Sequence, residues 1–254
     1  ETALSDAQAG VFLGIRETAA APPRVLLLFP GQAAPVRSTG GAWARRYPEV
    51  ARLYAQAEVP AGDPASTVIA QPAIVTASLA ALAVFERAGL RAERAIGHSL
   101  GELLALHWAG AFDAACLQRL ARARGQVMAE AAPGAMASLA CPAAEAATRI
   151  AGSGAVIAAR NGPLQTVIAG SEVQVTRALA QAGGGVRLPV AHAFHTPAMA
   201  AAAAGFAQAL AAEAARGALQ PTVRGYASTV RGRLCPAGTA ATALLLDQLS
   251  TPVD

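Results

Sequence analysis

The chain has 254 residues, 54% hydrophobic and 14% charged, so it can bury a large core as one domain or as one domain with an insert. Its formal net charge is +4, and its 20 basic residues are all arginine. Because these arginines are scattered and aromatic residues make up only 4% of the chain, the composition disfavours a nucleic-acid-binding protein. The positive charge instead favours an anionic partner, such as a phosphate-bearing cofactor or an acidic carrier protein.

We identify neither a signal peptide nor a membrane span. The most aliphatic tract, residues 199–215, is mostly alanine interrupted by glycine and polar residues, which is typical of a packed helix. The three cysteines match neither a disulfide framework nor a zinc-ligand spacing, so we expect reduced thiols, a cytoplasmic location and no metal site. Because the chain starts at Glu1 and stops in mid-pattern, we expect a piece of a longer polypeptide.

The first half of the chain alternates between predicted strands and helices. Residues 1–23, a polar stretch followed by alanines and prolines, are typical of an interdomain linker. The apolar run 25–29, closed by a Pro-Gly pair, predicts a parallel strand buried on both faces. Helical patterns follow at 43–57 and 72–88, and the run 92–96 predicts the next strand. This alternation favours a doubly wound α/β sheet.

The pattern changes after Arg124. We predict short strands and two helices, with the strands at 135–140, 155–159, 166–169 and 186–190 and the helices at 142–152 and 172–182. This βαββαβ order is typical of a small ferredoxin-like insert. The two ends of an insert must lie close together, which would bring the regions of Arg124 and His195 to the rim of the main domain.

Residues 97–101 have the form Gly-x-Ser-x-Gly between a predicted strand and an apolar helix. Glycines at both ends allow a sharp reversal, which would hold Ser99 in a strained turn with its Oγ exposed above a helix N-terminus. The pattern predicts a nucleophile elbow and acyl transfer through an ester on Ser99. The alternative is a structural turn, because such spacings also arise by chance in a glycine-rich chain.

A serine nucleophile needs a base, and the chain has four histidines. His98 adjoins Ser99, so we expect its side chain to point away and to pack or hydrogen-bond locally. His107 lies two helical turns further on, where a structural role is expected. His192 and His195 lie between a predicted strand and a helix, so one of them is the expected base.

The acid of a hydrolase triad is missing from the pattern. The only aspartate between Ser99 and His195 is Asp113, and the glutamates of that interval do not fall at plausible strand ends. A backbone or amide carbonyl could orient the imidazole instead, which suits an enzyme acting on a thioester.

Ordered motifs along residues 24–254 resemble malonyl-CoA:acyl carrier protein transacylases, most closely the acyltransferase domain of a type I polyketide synthase. They are Phe29-Pro-Gly-Gln32, Gln71-Pro-Ala73, Gly97-His-Ser-Leu-Gly-Glu102, Ala123-Arg-Gly125, Asn161-Gly-Pro163, His192-Ala-Phe-His195 and Gln248-Leu-x-x-Pro-Val253. The resemblance implies an α/β-hydrolase-like large subdomain with a parallel sheet, a small ferredoxin-like inserted subdomain, and a linker remnant. Their expected bounds are 24–130 with 196–254, 131–195, and 1–23.

The resemblance also implies roles at the reacting centre. Ser99 would accept the acyl group, with His195 as its general base. The backbone N–H groups of Gln32 and Leu100 would stabilise the oxyanion. A carbonyl at Gln248 would hold the catalytic imidazole.

Further residues are implied to bind the acyl group. Arg124 would clamp the free carboxylate of malonyl, and a neutral acyl group would leave it unpaired at a cost of about 1–3 kcal/mol. Phe194 favours malonyl, because its ring would occupy the space of an α-methyl group; methylmalonyl is the alternative. His192 and Asn161 are counted with the substrate-binding residues, although for Asn161 a tight Asn-Gly-Pro turn is an equal alternative.

The implied reaction passes malonyl from malonyl-CoA through Ser99 to the phosphopantetheine arm of an acyl carrier protein, without a permanently bound cofactor. The expected partners are this carrier and a neighbouring ketosynthase and other domains, not nucleic acid or a membrane. A serine hydrolase or thioesterase, and a structural spacer domain, are the rival functions. Ala33-Ala-Pro35 departs from the family's usual Gly-Ser-Gln, which leaves that loop's conformation open.

Overall fold

The computed structural model describes residues 24–32, 34–35 and 37–254. The linker predicted at 1–23 lies outside the described residues, as does Ala33 in the atypical loop. In chain order the elements are β1 (Leu26–Phe29), α1 (Gly41–Arg46), α2 (Pro48–Ala57), α3 (Thr67–Arg87), β2 (Arg94–Gly97), α4 (Leu100–Trp108), α5 (Ala114–Ala129), β3 (Ala135–Leu139), α6 (Ala143–Arg149), β4 (Val156–Gly162), β5 (Gln165–Gly170), α7 (Glu172–Ala182), β6 (Val186–Arg187), α8 (Ala200–Ala215), β7 (Tyr226–Ser228), β8 (Arg233–Cys235) and α9 (Ala241–Asp247).

The first sheet has the strand order β1-β2-β7-β8, and its first three strands are parallel. Its register pairs Phe29 with Gly97 and Gly97 with Ser228, so the carboxyl ends of these strands meet at one edge. Open α/β sheets bind their ligands at this edge. The prediction that β1 is buried on both faces was wrong. Leu27 and Phe29 are buried in the core, but Leu28 is 72% exposed because the described helices pack on the opposite face.

Two helix predictions need correction. The helix predicted over 43–57 is two helices, because Tyr47 between them is extended (φ −127°, ψ 109°). The ring of the following proline disfavours helical backbone at that position. The helix predicted over 72–88 begins earlier, at Thr67, so Pro72 lies inside it.

Helix α3 and the segment Pro197–Ala215 are long and apolar enough in composition to cross a membrane. Core helices pass the same test, and 56% of the most apolar stretch of α3 is buried in this fold. Helix α8 buries Phe206 and Leu210 and is joined to α5 by the Arg119–Glu213 ion pair at 2.6 Å. Both helices therefore pack as parts of the main core.

The second sheet is antiparallel, with the order β4-β5-β3-β6. Its elements follow one another as β3-α6-β4-β5-α7-β6, the predicted ferredoxin-like order. Strand β6 has two residues rather than the predicted five. Pro189 lies in the missing part, and a proline has no N–H to donate to a strand ladder.

The second sheet is packed against the first part of the fold. The segment entering it and the segment leaving it lie side by side, since the N–H of Gly134 donates to the carbonyl of Ala191 at 2.8 Å. On its inner face, Met136 and Val167 belong to the same buried cluster as Phe194 and helix α4. The second sheet therefore forms a wall beside the carboxyl ends of β1 and β2.

Candidate active site

The turn between β2 and α4 is possible only with glycine at both ends. A Cβ on Gly97 would lie 1.9 Å from the carbonyl oxygen of Gly101, and a Cβ on Gly101 would lie 2.3 Å from that of Phe29. Ser99, which caps α4, has φ 51°, a left-handed conformation that is strained for serine. The backbone thus presents the Ser99 side chain at a sharp strand-to-helix reversal.

His195 is the histidine that the fold brings to Ser99. Its Nε2 lies 2.8 Å from the Oγ of Ser99, and its Nδ1 lies 2.9 Å from the backbone oxygen of Gln248. A carbonyl oxygen only accepts, so Nδ1 carries the hydrogen and Nε2 is free to accept the serine proton. His192 lies elsewhere, with its Nδ1 3.2 Å from the backbone oxygen of Ala132.

The environment of His195 keeps its imidazole neutral. Burial and then the positive charge of Arg124 lower its pKa from 6.5 to about 3, while the hydrogen bond with Gln248 acts in the opposite direction. At neutral pH the ring is therefore in the form that can accept a proton.

Arg124 lies on α5 and is only 1% exposed. Its NH1 donates to the Oε1 of Gln71 at 2.9 Å, its Nε to the Oε1 of Gln248 at 3.1 Å, and its NH2 to the Oγ of Ser99 at 3.2 Å. All three acceptors are uncharged, and no ion pair forms between Arg124 and any carboxylate of the described residues. Burial lowers its pKa to about 9, which leaves the guanidinium charged at neutral pH.

Two glutamines have contacts that sequence reasoning missed. The backbone oxygen of Gln248 contacts His195, as the resemblance implies, but its side chain also donates to the backbone oxygen of Ser99 at 2.7 Å. Gln71 received no role, although it contacts Arg124 directly. The sequence did contain a signal for the role of Gln71, because it is a polar amide among the mostly apolar residues at the start of α3.

The two residues proposed for the oxyanion lie close to the carboxyl ends of the adjacent strands β1 and β2. Leu100 is the first residue of α4, so its N–H has no carbonyl one turn earlier to donate to. Gln32 follows β1. The N–H of His98 donates to the carbonyl oxygen of Phe29 at 3.1 Å, which holds the end of β1 beside the elbow. The Oε1 of Gln32 also accepts from the Nε2 of Gln71 at 3.0 Å.

The expectation that His98 makes a local contact was wrong. Its Nε2 lies 3.1 Å from the Oδ1 of Asn161 in β4, so the pair bridges the elbow and the second sheet. The alternative of an Asn-Gly-Pro turn is also wrong. Asn161 and Gly162 end β4, and the hairpin turn consists of Pro163 and Leu164.

Glu102 supports the elbow rather than the base. It is fully buried in the first turn of α4, where its Oε2 accepts from the N–H of Thr229 at 2.9 Å and lies 2.8 Å from its Oγ1. The same Thr229 hydroxyl lies 2.9 Å from the carbonyl oxygen of Gly97. Burial raises the pKa of Glu102. These contacts tie the loop after β7 to the end of β2.

A cleft of about 490 Å³ is lined by Gln32, His192 and Phe194 together with the start of α3. Phe194 is 8% exposed, and its ring centroid lies 5.7 Å from that of His192. A groove of about 520 Å³ over α2, α3 and α4 contains none of the residues discussed above for the site. The smaller cleft adjoins the site, because it is lined by Gln32, which contacts Gln71, and by Phe194, which directly precedes His195.

The acyl transferase domain family matches residues 47–240, more than half of the chain. The chain belongs to this family. It is therefore an acyltransferase, as predicted.

Relatives of this acyltransferase domain include polyketide synthases and a separate transacylase. Mycoketide-CoA synthase of Mycobacterium tuberculosis is 35% identical over 254 residues, which cover 90% of this chain and 6% of that protein. Malonyl CoA-acyl carrier protein transacylase of Bacillus subtilis is 32% identical over 203 residues, 69% of this chain and 64% of that protein. The chain thus spans less than two thirds of the length of either relative.

Solved structures give the same result. The acyltransferase domain of the iterative polyketide synthase in enediyne biosynthesis has 40% identity and a TM-score of 0.77, covering 99% of this chain and 60% of that chain. Malonyl-CoA:acyl carrier protein transacylase from Xanthomonas oryzae has 30% identity and a TM-score of 0.80, covering 90% of this chain and 80% of that chain. The predicted family and fold class are confirmed.

We expect Gly101→Ala to destabilise the acyltransferase domain by about 1–3 kcal/mol or more, because the added Cβ meets backbone that cannot yield easily. Urea unfolding followed by circular dichroism measures this. Gly162→Ala is the control, since its Cβ would meet nothing within 4 Å, and we expect a change within about 0.5 kcal/mol. Equal stability of the two variants would contradict the proposed tightness of the elbow.

Proposed function

We propose that this acyltransferase domain transfers malonyl from malonyl-CoA to the phosphopantetheine arm of an acyl carrier protein through an ester on Ser99. The observation that carries the proposal is the guanidinium of Arg124, which is buried 3.2 Å from the Ser99 hydroxyl and has no carboxylate partner among the described residues. A dicarboxylic acyl group on Ser99 would supply the missing carboxylate. Relatives named malonyl-CoA:acyl carrier protein transacylases support the same substrate and acceptor.

In the first half-reaction, the Oγ of Ser99 attacks the thioester carbonyl carbon while Nε2 of His195 takes its proton. The carbonyl oxygen becomes an oxyanion, for which we assign the backbone N–H groups of Gln32 and Leu100 as donors. When the intermediate collapses, the C–S bond breaks and the CoA sulfur takes the proton from His195. Malonyl then remains on Ser99 as an ester.

The second half-reaction runs the same steps with a different thiol. The phosphopantetheine thiol gives its proton to His195 and attacks the ester carbonyl, and Ser99 leaves with that proton. Gln248 keeps the imidazole in the required tautomer throughout. A structure of a type II polyketide synthase acyl carrier protein with its malonyl-transacylase, 25% identical to this chain with a TM-score of 0.78, supports a carrier protein as the acceptor. We propose that the domain works beside a ketosynthase in a type I polyketide synthase, as its synthase relatives suggest.

Two features favour malonyl transfer over the alternatives. Phe194 lines the cleft and is almost fully buried, so its ring leaves less room for the α-methyl group of methylmalonyl. A hydrolase triad would place a carboxylate on Nδ1 of His195, whereas here Nδ1 faces the carbonyl of Gln248. His192 lines the same cleft. Asn161 supports the substrate-binding region indirectly, through its contact with His98 beside Ser99.

Incubation with malonyl-CoA should add one malonyl group to the chain, and peptide mapping should place it on Ser99. Intact-mass spectrometry over a panel of acyl-CoAs measures this, with Ser99→Ala as the control that should stay unmodified. Rapid release of malonate without an adduct would instead establish a hydrolase. Methylmalonyl loading as fast as malonyl loading would contradict the role assigned to Phe194.

Arg124→Ala should lower malonyl loading by about 100-fold, because the carboxylate loses its buried charged partner. Loading from acetyl-CoA should not fall in parallel, since acetyl has no carboxylate. Arg122→Ala is the matched control, because Arg122 lies on the same helix but pairs with Glu58 at 3.1 Å, and loading should stay within about twofold. An unchanged ratio of malonyl to acetyl loading in Arg124→Ala would contradict the proposal that Arg124 binds the malonyl carboxylate.

The rate of Ser99 acylation should show no inflection near pH 6.5. With the pKa of His195 lowered to about 3, the base stays neutral as the pH falls from about 8 to about 5.5. Quenched-flow mass spectrometry at limiting malonyl-CoA measures this profile. A base of ordinary pKa would instead lose about tenfold in rate over this range, and that outcome would contradict the assignment.

A further inference from the structure

Gln71 lies in α3, is fully buried and faces the guanidinium of Arg124. A buried amide must have its hydrogen bonds satisfied, and Gln71 has partners on both sides. Its Oε1 accepts from Arg124 at 2.9 Å, and its Nε2 donates to the Oε1 of Gln32 at 3.0 Å and contacts the sulfur of Met128 at 3.2 Å. Because the partners on the Nε2 side are acceptors, the amide oxygen is the end that faces Arg124.

The position of Gln71 is set by two long helices rather than by a loop. The hydroxyl of Thr67, one turn earlier in α3, donates to the carbonyl oxygen of Gly125 in α5 at 2.8 Å. Gly125 follows Arg124 directly, so this bond holds the two helices together beside the guanidinium. The contact between Gln71 and Arg124 is therefore part of a rigid arrangement.

The charge of the side chain at position 71 determines whether the charge of Arg124 is compensated within the protein. Glutamine satisfies one donor of Arg124 without adding negative charge, whereas a glutamate of the same length would form a buried ion pair with it. Such a pair would occupy the guanidinium and compensate its charge inside the protein. A carboxylate arriving on an acyl group would then meet a pair without net charge, one member of which is itself negative.

We propose that Gln71 is a specificity-determining residue, because it holds Arg124 through an uncharged oxygen and so keeps the guanidinium charge available to an acyl group that carries a carboxylate. This inference rests on the proposed function. Gln71 acts through Arg124, as a positioning residue, and takes no part in bond making.

The test compares malonyl-CoA and acetyl-CoA as donors for Ser99 in the wild-type chain and in Gln71→Glu. We expect malonyl loading to fall by about 100-fold, while acetyl loading stays within about threefold, so that the preference inverts. Gln71→Met is the control of similar size without charge: it removes the hydrogen bond to Arg124 but does not compensate the guanidinium charge, so its ratio of malonyl to acetyl loading should fall by no more than about tenfold. Circular dichroism checks that each variant is folded.

Loss of both activities together in Gln71→Glu, or no change in their ratio, would overturn the inference, as would an equal change of ratio in Gln71→Met. If Gln71→Glu does not fold, Gln71→Asp places a carboxylate at the same position on a shorter side chain, and the same inversion of preference is expected. Wild-type protein that fails to take malonyl at all would refute the proposed function itself, which separates the two failures.

Discussion

The positive charge of Arg124 is buried beside the nucleophile, and the groups around it are arranged to tolerate that charge. A buried charge is costly unless its hydrogen bonds are satisfied, and here Gln71, Gln248 and Ser99 satisfy them with neutral oxygens. The same charge helps to lower the pKa of His195. The Ser99 hydroxyl therefore accepts a hydrogen bond from the Arg124 guanidinium while it faces the neutral imidazole of His195. An acyl-accepting serine needs such a neutral base to take its proton.

Backbone strain is concentrated at the same place. Ser99 and His195 both have positive φ, 51° and 59°, and such conformations cost about 1–3 kcal/mol each. Their neighbours hold them there: Gln248 donates to the carbonyl of Ser99, and the N–H of His195 donates to the carbonyl of Leu249 at 3.1 Å. Since the motif beginning at Gln248 fixes both strained residues, the distance between nucleophile and base depends on this one segment.

Local pattern was sufficient where local sterics decide the structure. Gly97 and Gly101 indicated the sharp turn because any side chain there would strike backbone, and the short strands after Arg124 indicated the order of the second sheet. Pattern failed where tertiary packing decides: Leu28 is apolar yet exposed, and His98 reaches across to Asn161. No spacing in the sequence shows that an amide in α3 will meet an arginine in α5. The choice of His195 over His192 came from family resemblance rather than from spacing, and the structure gives a physical reason in the contact with Ser99.

In the proposed reaction, the charge of the acyl group also bears on the strength of the base. Burial and the charge of Arg124 both lower the pKa of His195, so a carboxylate that neutralises Arg124 removes the second cause and lets the pKa rise. The imidazolium formed during attack then becomes less costly. With a neutral acyl group, burial and the charge of Arg124 both continue to lower the pKa of His195, so the imidazolium is not stabilised. A hydrolase triad stabilises its imidazolium with a carboxylate of the protein, whereas here the carboxylate would arrive with the substrate, so that selection of the acyl group and activation of the base depend on the same charge.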